Sequence, residues 1–204
     1  MIKQQLRSQN IKVLVKKVIT EFDEDFSDCI WLSWSAHGRT SMRGWQYSYL
    51  EISGSKVTAD IIKDWTLYSR PVVILAACET ALDGNINQGW EDYYGIDMAF
   101  RIAGAKTVIG TLWAVPDTLA ALTTYLLASW FISGQVTPDR GLTSMQGMLR
   151  KGRWKQFLLK SEQLSKLPKE VRINIQELQE SLWNLPNELF TTPECWAVFR
   201  CLGR

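Results

Sequence analysis

Apolar and polar positions follow two different periods along this chain. Residues 11–22 carry apolar side chains at Ile11, Leu14, Val15, Val18, Ile19 and Phe22, the three-and-four spacing of one helical face, with Asn10 as a cap. Residues 28–36 are few and rich in Ile, Trp and Leu, which predicts a strand. Residues 45–52 alternate aromatic and polar positions and predict a second extended segment or a hairpin. Thr58 is placed to cap a short helix running to about Tyr68. After Pro71 the run Val72-Val73-Ile74-Leu75-Ala76-Ala77 is apolar on both faces, the pattern of a buried parallel strand.

A polar loop over 83–91, with Gly84 and Gly89, separates that strand from a helix over 92–103 stopped by Gly104. A buried strand over 106–112 and a helix over 117–132, ended by Gly134, come next. Beyond Gly141 the pattern is helical and more polar, broken by Pro168, Pro186 and Pro193. The stretch CWAVFRCL at 195–202 predicts a closing strand. Strands alternating with helices predict an α/β fold, a mostly parallel central sheet with helices on both faces. Right-handed crossovers make the strands at 28–36 and 72–77 neighbours or near neighbours.

Composition narrows the function. The 204 residues suit a single domain over 1–204 with a sizeable core, and 46% hydrophobic with 22% charged residues is ordinary for a globular protein. A net charge of +2 gives no argument for nucleic acid or an acidic membrane. The one basic run, Arg150, Lys151, Arg153, Lys155 and Lys160, reads either as a partner patch or as a solvated loop and helix edge, and we favour the latter. The four cysteines form no C-x-x-C pair, and a single histidine excludes a His-rich metal site, so neither a metal nor a redox motif is expected. Nothing at the start resembles a signal peptide, so the cysteines read as free thiols in a reducing cytoplasm. The apolar run over 119–132 is shorter than the roughly twenty residues a membrane-spanning helix needs. Ten tryptophans, scattered along the chain, read as core and interface mass.

Chemistry converges on one sheet edge. His37 follows the first predicted strand and Cys78 the next, and sites in open parallel sheets form at the carboxyl ends of strands. Adjacent strand ends lie only ~5 Å apart. An imidazole that accepts a thiol proton makes the thiolate a nucleophile towards a carbonyl carbon. The oxyanion that results needs donors, and the amides of Gly38 and Cys78 are candidates. Each residue alone has an ordinary reading, a surface histidine and a core cysteine. Cys29, Cys195 and Cys201 fall inside predicted strands and read as core.

At these residues the chain resembles the CHAT branch of the caspase-like peptidases, related to caspases and separase. SWSAHG at 33–38 is similar to the family's strand ending in His-Gly, and VVILAACETALDG at 72–84 to its strand ending in Ala-Cys-x-Thr-Ala. GIDMAFRIAGAKTVIGTLWAVPD at 95–117 and TPECWAVFRCLG at 192–203 resemble the third and fourth family segments, in the family's order. The separation of His37 and Cys78 is near the roughly fifty residues of the caspase pair.

The resemblance implies a caspase-like three-layer sandwich and a cysteine endopeptidase, with His37 as general base, Cys78 as nucleophile, Gly38 and Cys78 as oxyanion donors, and no cofactor. It also implies a substrate pocket at Ala77, with Glu79 and Asp117 beside it. Asp117 matches an acidic position that in separase-like relatives helps bind a basic residue, and reads equally as a helix cap. The family usually has another strand, and often helical repeats, before the helix at 11–22. A larger protein or a regulatory partner covering an open sheet edge is therefore expected, with a protein substrate, in prokaryotic defence or signalling such as CRISPR systems. The loop at 83–91 corresponds to a segment that caspases rearrange on activation. Two other readings compete: a catalytically silent caspase-like scaffold that binds partners, and a nucleic-acid binder using the basic run. The His37–Cys78 pair argues against the first, and the near-neutral charge against the second.

Overall fold

Val72, Val73, Ile74 and Leu75 are at most 3% exposed, and a stretch covered on both faces must lie inside a sheet. The computed structural model of the protein describes residues 26, 28–41, 43–52, 54–76, 95–132, 134, 136–158 and 169–203. They fall into two compact units, one of residues 26–116 and 198–203, the other of residues 117–197.

The first unit holds a four-stranded sheet. Strand β1 (Trp31–Ser35) pairs in parallel with β5 (Val72–Ala76), which pairs in parallel with β6 (Thr107–Thr111), and β7 (Phe199–Gly203) closes the order antiparallel to β6. The fold is thus α/β with a mostly parallel sheet, consistent with a caspase-like sandwich. A separate antiparallel ribbon is built from β2 (His37–Arg39), β3 (Tyr49–Ile52) and β4 (Ser55–Thr58). A short helix, α1 (Ala59–Ile62), follows directly, and Thr58 Oγ1 caps it by accepting the Ile61 amide at 3.3 Å.

The core of this unit is aromatic. Phe26, Trp34, Trp65 and Phe100 are buried with ring centroids 5.6–5.9 Å apart, in edge-on, tilted and stacked pairs. Helix α2 (Ile96–Ile102) supplies Phe100 and ends in a Schellman arrangement: the Gly104 amide reaches Arg101 O at 3.1 Å and the Ala105 amide reaches Phe100 O at 3.0 Å. Gly104 sits at φ 112, and a Cβ there would stand 3.1 Å from Leu67 O, so glycine is required on both counts. At the other end of α2, the fully buried Asp97 accepts Arg200 Nη2 at 2.8 Å and Nε at 3.1 Å through one oxygen and the Met98 amide at 2.9 Å through the other. This ties α2 to β7.

The second unit is helical. Helix α3 (Asp117–Ile132) and α4 (Pro138–Arg150) pack on each other, and α5 (Lys169–Trp183) contacts α3, with Gln179 Nε2 donating to the Tyr125 hydroxyl at 2.6 Å. Short 3-10 turns at Trp154–Phe157 and Asn187–Phe190 bring Trp154 against Phe190, and the Trp154 indole N–H donates to Asn187 O at 3.1 Å. A helical turn, α6 (Pro193–Trp196), follows.

Gly147 is in the interior of α4, and nothing lies within 4 Å of where its Cβ would stand. Alanine there should therefore raise stability by roughly 0.5–1 kcal/mol through helix propensity alone. The check is a higher denaturation midpoint at unchanged slope.

The predicted strands at 72–77 and 106–112 and the helix at 117–132 match β5, β6 and α3. Four readings change. The strand expected at 28–36 shortens to Trp31–Ser35 and is half-buried, with Leu32 and Trp34 inside and Ser33 and Ser35 exposed. The helix capped by Thr58 ends at Ile62, well short of Tyr68, and the extended stretch at 45–52 begins with a 3-10 turn, Trp45–Tyr47. The closing strand begins only at Phe199, because Pro193 fixes a helical φ and starts a turn that takes in Cys195. The predicted helix at 11–22 and the polar loop at 83–91 lie outside the described residues, as do residues 92–94; the helix predicted at 92–103 begins only at Ile96, after an extended Gly95.

Candidate active site

In the parallel pair Trp31 stands opposite Val72 and Ser35 opposite Ala76, so the carboxyl ends of β1 and β5 are side by side. Paired strands run ~4.8 Å apart, and this edge of an open α/β sheet is where ligands bind. His37 comes two residues after Ser35. Ala77, Cys78 and Glu79 follow β5 in the sequence and lie outside the described residues.

Past Ser35 the chain bends at Ala36 and enters the ribbon, so His37 opens β2 and does not lie in a loop. The register of the ribbon sets two faces. Gly38, Leu50 and Val57 form one cross-strand row, and Leu50 and Val57 are fully buried against the aromatic core. His37, Glu51 and Lys56 form the neighbouring row on the opposite face, where His37 is exposed. Burial of one face thus holds the backbone on which His37 is displayed. The Glu51 carboxylate is 3.9 Å from Lys56 Nζ, which also stands 4.5 Å over the Tyr49 ring. Directly opposed residues of an antiparallel pair have Cβ atoms about 4.5–5.5 Å apart, so Glu51 is the carboxylate nearest in register to the imidazole. The alternation around Glu51 is visible in the sequence. Its pairing with His37 is not, because the register is set by the hairpin rather than by any motif.

A family model for the CHAT domain matches residues 2–204. The chain belongs to the CHAT-domain family. The CHAT domain is a caspase-like, peptidase-related domain. No curated protein matches the chain.

Within this CHAT domain, Asp117 is the first residue of α3, exposed, in the helical unit. An acid in a first turn complements the helix dipole, which fits the cap reading of Asp117 beside the pocket reading. The sequence places the remaining cysteines as core residues inside strands; only Cys201 lies in one, β7, and Cys29 packs partly buried against the aromatic core. Cys29 precedes β1 and Cys195 sits in α6, and all three are half-buried thiols rather than disulfides. Among the described residues no helix of the CHAT domain is long and apolar enough to cross a membrane.

Proposed function

We propose that this CHAT domain is a regulated cysteine endopeptidase in which His37 is the general base and Cys78 the nucleophile. The observation that carries the reading is the β1–β5 register: Ser35 faces Ala76, and His37 and Cys78 are each the second residue beyond that matched pair. In the proposed reaction the Cys78 thiol gives its proton to the His37 imidazole while its sulfur bonds to the scissile carbonyl carbon. Collapse of the tetrahedral intermediate breaks the C–N bond, and the imidazolium protonates the leaving amine. Water, deprotonated by His37, then hydrolyses the thioester and restores the thiol. The Gly38 and Cys78 amides are the proposed donors to the oxyanion in both steps.

Ala77 and Glu79 are the proposed pocket for the residue before the cut, and we propose, from the resemblance to separase-like relatives, that Asp117 favours a basic residue there. Asp117→Ala is expected to lower kcat/KM about tenfold for a peptide cut after arginine and to leave one cut after leucine unchanged. An unaltered ratio between the two peptides removes Asp117 from the pocket. The substrate we propose is a partner protein in prokaryotic defence or signalling, CRISPR-associated systems among them, in the cytoplasm. β1 ends the described four-stranded order, and we propose that a regulatory chain or sensor region covers its outer edge.

The test is labelling with an iodoacetamide probe, read residue by residue by mass spectrometry, with and without the native partner. Cys78 should label fastest of the four cysteines, and His37→Ala should slow it by about tenfold or more. Slow, equal labelling of all four, partner included, would instead support a caspase-like scaffold without catalysis.

A further inference from the structure

The helical unit contains a groove of about 580 Å³ that the peptidase reading does not use. Its apolar lining comes from Trp130 near the end of α3, Val136 in the connection and Met148 on α4. Lys151 and Arg153 bring two exposed cations to it, and no carboxylate lines it among the described residues. The volume falls within the roughly 300–1,000 Å³ typical of ligand sites.

Among the described residues the basic run divides into two sets, Lys160 lying outside them. Arg150 packs over the Trp196 ring at 5.8 Å. Lys155 donates to Trp183 O at 2.7 Å and stands 5.5 and 6.0 Å from the Trp154 and Trp183 ring centroids. These two cations serve the packing of the unit, while Lys151 and Arg153 line the groove. Two cations over an apolar floor do not make the phosphate track that nucleic acid requires. Trp130 is only 9% exposed, which leaves little ring face for stacking on bases.

Gly147 adds an independent indication. It lines the groove together with Ser144, one turn before it on α4, and Lys151, one turn after it and just past the end of α4. Nothing stands within 4 Å of its absent Cβ, so packing does not require glycine there, and its φ is not in the left-handed region. A glycine inside a helix is less favourable than alanine. What it achieves here is an open wall beside the apolar floor.

We propose that this groove docks an extended segment of a partner protein that carries a large apolar side chain next to acidic residues. The apolar side chain seats on Val136 and Met148, whose flexible thioether suits varied shapes, beside the small exposed edge of Trp130. The carboxylates face Lys151 and Arg153. Binding here uses neither His37 nor Cys78, and in a peptidase it would hold a substrate by a segment other than the one that is cut.

The experiment selects random 12-residue peptides displayed on phage against the full chain, then measures the enriched peptides by fluorescence polarisation. Enrichment of Asp or Glu beside Leu, Phe or Met is expected. Lys151→Glu with Arg153→Glu should weaken these peptides about tenfold or more, and lysine-for-glutamate versions should regain affinity for that variant. Gly147→Trp should block binding while the variant keeps the wild-type circular dichroism spectrum. The variant Cys78→Ala should bind as the wild type does. The proposal is overturned if no acidic–apolar peptide is enriched, or if those enriched bind the groove variants unchanged. It is equally overturned if a labelled oligouridylate binds through Lys151 and Arg153 and displaces the peptides.

Discussion

Cys78→Ala is expected to reduce peptide-bond cleavage by about 10⁴-fold or more, the scale on which removal of the nucleophile acts in acyl-transfer enzymes. Without the sulfur no thioester forms, and the amides proposed for the oxyanion have no covalent intermediate to stabilise. His37→Ala should fall to a similar rate, because the thiol then keeps its proton at neutral pH. The double variant should be no slower than either single one, since in the proposed mechanism the two groups act as a unit. The readout is digestion of a peptide library by wild type and the three variants, followed by mass spectrometry, with unfolding midpoints recorded alongside. Turnover by Cys78→Ala at the wild-type rate, with folding unchanged, would remove Cys78 from the mechanism. A double variant much slower than both single variants would mean that His37 and Cys78 act separately.

The second large effect is on stability. Arg200→Met should destabilise the chain by about 3–5 kcal/mol, because it takes from the Asp97 carboxylate, 1% exposed, the guanidinium that donates to it twice. Asp97→Leu should cost less. Arg200 keeps a side chain 32% exposed, and its guanidinium can turn towards water once the carboxylate is gone. The double variant should lie closer to wild type than Arg200→Met does, since an apolar pair replaces a buried ion pair at small net cost. Denaturant unfolding of all four proteins gives the coupling directly. A cost below about 1 kcal/mol for Arg200→Met would mean that another group already compensates Asp97.

How far the sequence carried this picture varies by element. β5 and β6 were legible because an unbroken apolar run has only one comfortable place in an α/β fold, between two neighbours and under cover on both faces. The pairing of β1 beside β5 was legible from the expectation that these strands are near neighbours, although β1 is half-buried and the three strands of the ribbon come between them in the chain. β2 was not: His37, Gly38 and Arg39 show no apolar alternation, and they are in a strand only because β3 offers them a partner. Cys195 was misplaced because the apolar content of CWAVFRC outweighed the Thr192-Pro193 helix start. Asp97 and Arg200 are far apart in the chain, and nothing local to either announces the other. Glu51 was hidden likewise, since a carboxylate in a half-buried strand gains meaning only from what its register places opposite. The groove beside Gly147 depends on a missing Cβ, which no motif records.

The matched ends of β1 and β5 also bear on which length changes the gene can tolerate. The crossover from Ala36 to Pro71 can gain or lose residues at its turns and leave Ser35 opposite Ala76. One residue inserted within either strand would turn every following side chain to the other face and move His37 or Cys78 out of step with its counterpart in the proposed pair. Variation in length should therefore accumulate between the two strands and be purged within them.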